Sequence, residues 1–126
     1  MNILFLINFA GRGGSEKYVD NLVRIFTEKG EHCFFAYNVP GQLSETMTER
    51  GVPSLRLDMS RFASGSAART LAGYCREHAI DVIHAQYPRE NIIAIMSKKY
   101  YDAPRVVYTN HLTISSGLRW RLLNKR

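Results

Sequence analysis

Residues 2–8, NILFLIN, run into FAGRGG at 9–14 and then into SEKYVDNLVRIF at 15–26. The first stretch is almost continuously apolar, the pattern of a strand covered on both faces, as strands of parallel sheets are. The second is a glycine-rich turn. The third sets Val19, Leu22, Val23 and Phe26 on one helical face, with Ser15 expected at the N-cap and Glu16 in the first turn. Gly30 then supplies a helix stop. A buried strand, a glycine turn and an amphipathic helix make the opening unit of a parallel α/β fold.

The alternation continues outward from that unit. Strands are expected at 31–38 (EHCFFAYN), 53–58 (PSLRLD), 81–86 (DVIHAQ) and 105–110 (RVVYTN). Helices are expected over 43–50, 60–79 and 90–101, the last with Ile92, Ile93 and Met96 facing inward, and Pro88 is read as the end of a turn. This order predicts an α/β, Rossmann-like three-layer domain with a mainly parallel five-stranded sheet and helices on both faces. The domain is expected to span residues 1–116. Residues 117–126 read as a basic helical tail, the start of a truncated continuation.

Composition sets the outer bounds. The 126 residues fit one domain, and 45% hydrophobic with 11% aromatic residues excludes wholesale disorder. No stretch reaches the ~18–20 apolar residues of a membrane span, and the opening apolar run lacks the basic flank of a signal peptide. Two cysteines, Cys33 and Cys75, are too few for a disulfide scaffold and suit a reducing, cytoplasmic setting. The net charge is +6, but Arg119, Arg121, Lys125 and Arg126 carry four of those charges. The body of the domain is only mildly basic, so no nucleic-acid partner is expected. The tail, with Leu118 and Leu122 on one face and Trp120 among arginines, suits an anionic membrane surface. The plainer reading is a helix cut off before its partner surface.

In open parallel sheets, ligands sit beyond the carboxyl ends of the strands. Here that directs attention to residues 8–15, 38–43, 58–61, 85–89 and 110–116. The run Gly11-Arg12-Gly13-Gly14-Ser15-Glu16 is either a phosphate-binding loop or a tight turn that needs glycine. It is not the dinucleotide fingerprint, because Glu16 stands at the third glycine position and the second strand ends in Asn38 without a carboxylate. His111 follows the fifth strand, where an imidazole can donate to a phosphate or a sugar hydroxyl. His84 lies inside the fourth strand, as a satisfied core residue or as a ligand contact. Tyr87-Pro88-Arg89-Glu90 and Arg61-Phe62 stand at the same edge, with ordinary loop and cap chemistry as their plainer role. His32 and His78 fall at the opposite ends of strands. No two His or carboxylates share a helix at metal-ligand spacing, and no Ser-His-Asp set can be assembled.

Four stretches together resemble the amino-terminal domain of GT-B fold glycosyltransferases, in particular the retaining family 4. They are the opening strand with GRGGSEKYVDNL, then EKGEHCFFAYN, then DVIHAQYPRENIIAIMSKK, and last RVVYTNHLT. The resemblance implies an acceptor-side domain of an enzyme that moves a sugar from a nucleotide-sugar, UDP- or GDP-linked, to a glycan or lipid-linked acceptor. It implies that Gly13, Gly14 and Ser15 approach the donor phosphates, that His111 works at the reaction centre, and that Arg12, His84, Tyr87 and Asn110 contact acceptor or sugar. It further implies metal-independent transfer without a cofactor. A carboxy-terminal Rossmann-like domain would hold the nucleotide, and the amino-terminal half alone would be inactive. The setting implied is cytoplasmic, with peripheral contact at the inner membrane surface. Two residues depart from the family pattern: Gln86 replaces a common second His, and Leu112 replaces the Asp or Gly often found after Thr-x-His. The alternative is a non-enzymatic Rossmann-like recruitment subunit of a split glycosyltransferase or of a membrane-associated complex.

Overall fold

A computed structural model of the chain describes residues 1–11, 13–60 and 63–109, with the Ser15 side chain left aside. In chain order the elements are β1 (Asn2–Phe9), α1 (Gly14–Glu28), β2 (His32–Val39), α2 (Gln42–Glu49), β3 (Ser54–Arg56), α3 (Ser64–Glu77), β4 (Val82–Ala85), α4 (Pro88–Ser97) and β5 (Arg105–Tyr108). The strands form one sheet in the order β3-β2-β1-β4-β5, and every neighbouring pair is parallel. The fold is the α/β Rossmann-like arrangement expected from the alternation.

The most apolar strand lies at the centre. Ile3 through Ile7 are all buried, because β1 is paired on both edges and covered on both faces. Alternate residues serve opposite layers. Leu4 and Leu6 pack with Ala67, Ala68, Leu71 and Cys75 of α3 and with Ile93 and Ala94 of α4. Ile3, Phe5 and Ile7 pack with Val19 and Val23 of α1 and with Leu43 and Met47 of α2. Gly30 (φ 87°) and Gly51 (φ 75°) terminate α1 and α2 in the left-handed conformation that favours glycine.

Four local expectations need correction. Helix α1 begins at Gly14 with Gly13 as its N-cap, so Ser15 is the second helical residue and not the cap. Gly13 is extended there, and its carbonyl accepts the first helical N–H, from Lys17, at 3.0 Å. Pro88 opens α4 at the first helical position, where its missing N–H costs nothing. Ile92 points outward at 55% exposure. Glu90, Ile93, Ala94 and Ser97 take the inward face, which is centred between Ile93 and Ala94, so Ile92 lies about 150° from its middle. The third strand is only three residues long, since β3 is an edge strand pairing with β2 alone.

Cys33 and Cys75 are both free and buried, and burial pushes the Cys75 thiol up to about 12. Among the described residues, no helix is long and apolar enough to cross a membrane.

Candidate functional site at the carboxyl edge of the sheet

The chain leaves β1 toward β2 on one side, while β4 and β5 extend the sheet on the other. The loops after β1 and β4 therefore diverge and leave a crevice between them, the place where such sheets bind ligands. The site is built from these two loops and the helix starts that follow them.

The loop after β1 is held by its backbone. The Ala10 N–H donates to the Val39 carbonyl at 2.9 Å. The Ala10 carbonyl accepts from Leu43 N–H at 3.0 Å, and the Gly11 carbonyl from the same N–H at 3.2 Å. The start of α2 thus docks onto the loop, and Gly41 permits the approach: a Cβ there would lie 2.6 Å from the Ala10 oxygen and 2.7 Å from Gly11 Cα. Gly13 caps α1 without any side-chain hydrogen bond. A Cβ on Gly13 would come 3.0 Å from Glu16 Oε1, so the glycine lets that carboxylate fold back over the turn. Gly14 has open space around its Cα. Helix-start N–H groups attract an anion, and here the Glu16 carboxylate stands over that start.

The turn after β4 is held by side chains. Gln86 is fully buried, and its amide donates to the His84 carbonyl at 3.1 Å. Arg89 donates to the Met59 carbonyl at 2.9 Å. Glu90 is 1% exposed, and its Oε2 accepts the Asn8 N–H at 2.8 Å. That bond ties the first turn of α4 to the end of β1. Burial pushes the Glu90 carboxyl above its ordinary 4.5, against the opposing pull of the Asn8 N–H, its own N–H and Arg89. The Asn8 side chain is set in turn by the Asn38 amide, which donates to it at 3.0 Å.

Between the two loops lies a cleft of about 380 Å³ lined by Asn8, Phe9, Glu16, Tyr87, Pro88, Arg89 and Glu90. A second hollow of about 240 Å³ adjoins it through Glu16 and is lined by Gly11, Gly13, Lys17, Asp20, Gln42, Leu43 and Thr46. The cleft holds two buried carboxylates, which suit hydroxyl donors, and the adjoining hollow holds the glycine turn before α1. Another hollow, of about 320 Å³, lies at the opposite edge around Cys33 and Arg50, away from both loops. Among the described residues, no group of three or more His, Cys, Asp or Glu is placed to hold a metal ion.

The structure brings Gly13 and Tyr87 to this edge as lining residues. Gly14 opens the helix beside them. His84 is placed elsewhere. It is 6% exposed, bonded through Nε2 to Thr109 Oγ1 at 2.8 Å, and edge-on to Phe5 and Tyr18. It lines an apolar hollow on the α1 side of the sheet with Ile3, Val82 and Val107. Arg12, Arg61, Phe62, Asn110, His111, Leu112 and the tail at 117–126 lie outside the described residues, as does the Ser15 side chain. Sequence reasoning gave Phe9 no role beyond the turn, held Glu16 only as part of the glycine loop, and favoured ordinary cap chemistry for Glu90. Glu16 and Glu90 each stand at the third position of a helix, where an acid faces back to the helix start. That position was the readable signal.

A sequence profile of glycosyltransferase family 4 matches residues 12–126. No curated protein matches the chain. Among solved structures, MurG of Acinetobacter baumannii superposes with a TM-score of 0.72 at 9% identity, covering 98% of this chain and 39% of that one. A glycosyltransferase from Rickettsia africae ESF-5 gives 0.71 at 14% identity, covering 95% and 33%. Anabaena Alr3699/HepE, solved in complex with UDP, gives 0.69 at 16% identity, covering 95% and 34%. The chain therefore spans about a third to two-fifths of the length of these structures, and the likeness is one of fold.

Proposed function

The chain belongs to glycosyltransferase family 4, and we propose on that footing that it is the acceptor-side, amino-terminal half of a retaining enzyme that uses a nucleotide-sugar. The observation that carries the reading is the cleft at the sheet's switch point, lined by Glu16 of α1 and Glu90 of α4, with the glycine turn before α1 in the adjoining hollow. Gly13 and Gly14 offer N–H groups at the α1 start to the donor diphosphate. Glu90 repels an anion from the α4 side, and the cleft it shares with Glu16 takes acceptor hydroxyls. Those hydroxyls donate to the carboxylates, and Tyr87 lines the same cleft. His111, together with Arg12 and Asn110, is assigned to the reacting sugar by the family pattern alone.

The donor is a UDP- or GDP-sugar. The UDP complex of the fold neighbour HepE supports the uridine choice. The nucleotide itself binds a second Rossmann-like domain, in keeping with the fraction of each neighbour that this chain covers. One wall of a cleft cannot hold or enclose a donor, so these 126 residues alone do not transfer sugar. The acceptor is a glycan or a lipid-linked glycan, and transfer proceeds without a metal on the cytoplasmic side of a membrane.

The test is nucleotide release from UDP- and GDP-sugars, measured for this chain and for the intact protein from its source cells. Acceptor-dependent release by the intact protein alone is the expected result. Robust turnover by this chain overturns the half-enzyme reading, and no release from either nucleotide-sugar by the intact protein overturns the transferase reading.

A further inference from the structure

Phe9 is out of place for a residue of β1. The five residues from Ile3 to Ile7 are no more than 5% exposed, yet Phe9, which ends the same strand, is 51% exposed. It lines the 380 Å³ cleft together with Tyr87 and the two carboxylates. The ring tip, Cε1, Cζ and Cε2, lies across the α-carbon of Gly11, in the space that a Cβ at that position would take. Gly11 is itself anchored, because its carbonyl accepts the Leu43 N–H. A glycine thus serves as the seat of an aromatic ring that is half open to solvent.

We propose that Phe9, seated on Gly11, is the stacking platform for a pyranose ring of the acceptor. The proposal rests on the transferase reading above and names the residue that selects the substrate class. The face of an aromatic ring carries negative charge density and attracts the polarised C–H groups on the apolar face of a sugar. The lining supplies the polar half of the match: Glu16, Glu90 and Asn8 share the cleft with Phe9 and carry acceptors for sugar hydroxyls. A nucleobase would also stack on Phe9, but its attached phosphate would then face two carboxylates. The cleft's volume is at the lower end of the range for small-ligand sites, roughly 300–1,000 Å³, which suits one sugar unit with the rest of the acceptor outside.

Saturation-transfer NMR on the 126-residue chain tests this, with methyl glycosides of glucose, galactose, mannose and N-acetylglucosamine as probes. At least one glycoside is expected to receive saturation, most strongly at its ring C–H protons. Phe9→Ala should weaken that glycoside roughly three- to tenfold, and Phe9→Tyr should retain it. Gly11→Ala should weaken it equally by displacing the ring, with an unfolding midpoint close to wild type, since the displaced atoms are the far end of a side chain. Saturation of no glycoside, saturation of uridine or guanosine monophosphate only, or affinity that survives both alanine variants would overturn the proposal. Nucleotide release by the intact protein separates it from the reading beneath it. A Phe9-dependent glycoside signal without release breaks the transferase reading and leaves the platform standing, whereas release without the signal does the reverse.

Discussion

Two turns border the central crevice, and they are built from opposite materials. The turn after β1 is glycine and backbone: Gly11, Gly13 and Gly14, a cap with no side-chain bond, and carbonyls that anchor the neighbouring helix. The turn after β4 is side chain throughout: buried Gln86, Arg89 on the Met59 carbonyl, and buried Glu90 on the Asn8 N–H. Each leads into a helix with a glutamate at its third residue. The contrast indicates where ligand contact can come from. A turn braced by its own side chains is fixed in shape by groups that also line the cleft. A turn braced by carbonyls leaves its helix start to be faced by the Glu16 carboxylate.

The contrast is most exposed to attack at Glu90. Removing its side chain in Glu90→Ala strands the Asn8 N–H and opens a void, and should cost about 2–3 kcal/mol in denaturant unfolding of the full chain. A cost near zero would mean that the second turn does not depend on its side chains. The next largest effect is expected at Gly41→Ala, whose new Cβ would meet backbone atoms of Ala10 and Gly11. Neither atom can swing aside, so about 1–3 kcal/mol should be lost, reported by a lower urea midpoint at unchanged slope.

A subtler contrast is one of pH. Glu90 has a folded-state pKa raised above its ordinary 4.5, chiefly by burial. The folded chain then binds the proton more tightly than the unfolded one. The stability this contributes is complete below pH 4.5 and is lost as pH rises through the folded value. Glu90→Gln keeps an acceptor for Asn8 but cannot ionise. The stability of wild type relative to this variant should therefore decline as pH climbs from 4.5, in paired unfolding curves. A parallel pair of curves would refute it. The smallest effect belongs to the first turn. A Cβ added at Gly14, the first position of α1, would meet nothing within 4 Å. Gly14→Ala should raise stability by up to about 1 kcal/mol in thermal unfolding. A loss would show that this turn is packed as closely as the other.

Much of the fold is legible in the residues alone. The apolar run of β1, the glycine turn and the alternation of elements predict a parallel sheet, because burial on both faces and right-handed crossovers leave few other arrangements. The glycine loop is equally legible, since its composition is what leaves its backbone bare. What escapes is directional. Ile92 and Ile93 look alike in sequence, yet only one faces the core. The sequence leaves His84 open between a satisfied core residue and a ligand contact, and only the pleat of β4 turns it toward Thr109 and the rings of Phe5 and Tyr18.

Local pattern summed along the chain is enough to dictate the order of elements, the burial of β1 on both faces and the family. It does not dictate that Glu90 reaches Asn8 across 82 residues, that Gly41 closes onto Ala10, or that the ring of Phe9 rests on Gly11 at the mouth of the cleft. Those features arise only when the chain is folded, because the segments meet through the register of β1 against β2 and β4. A one-residue slip in that register would turn the side chains of β1, Phe9 among them, to the other face and carry the Asn8 N–H away from Glu90.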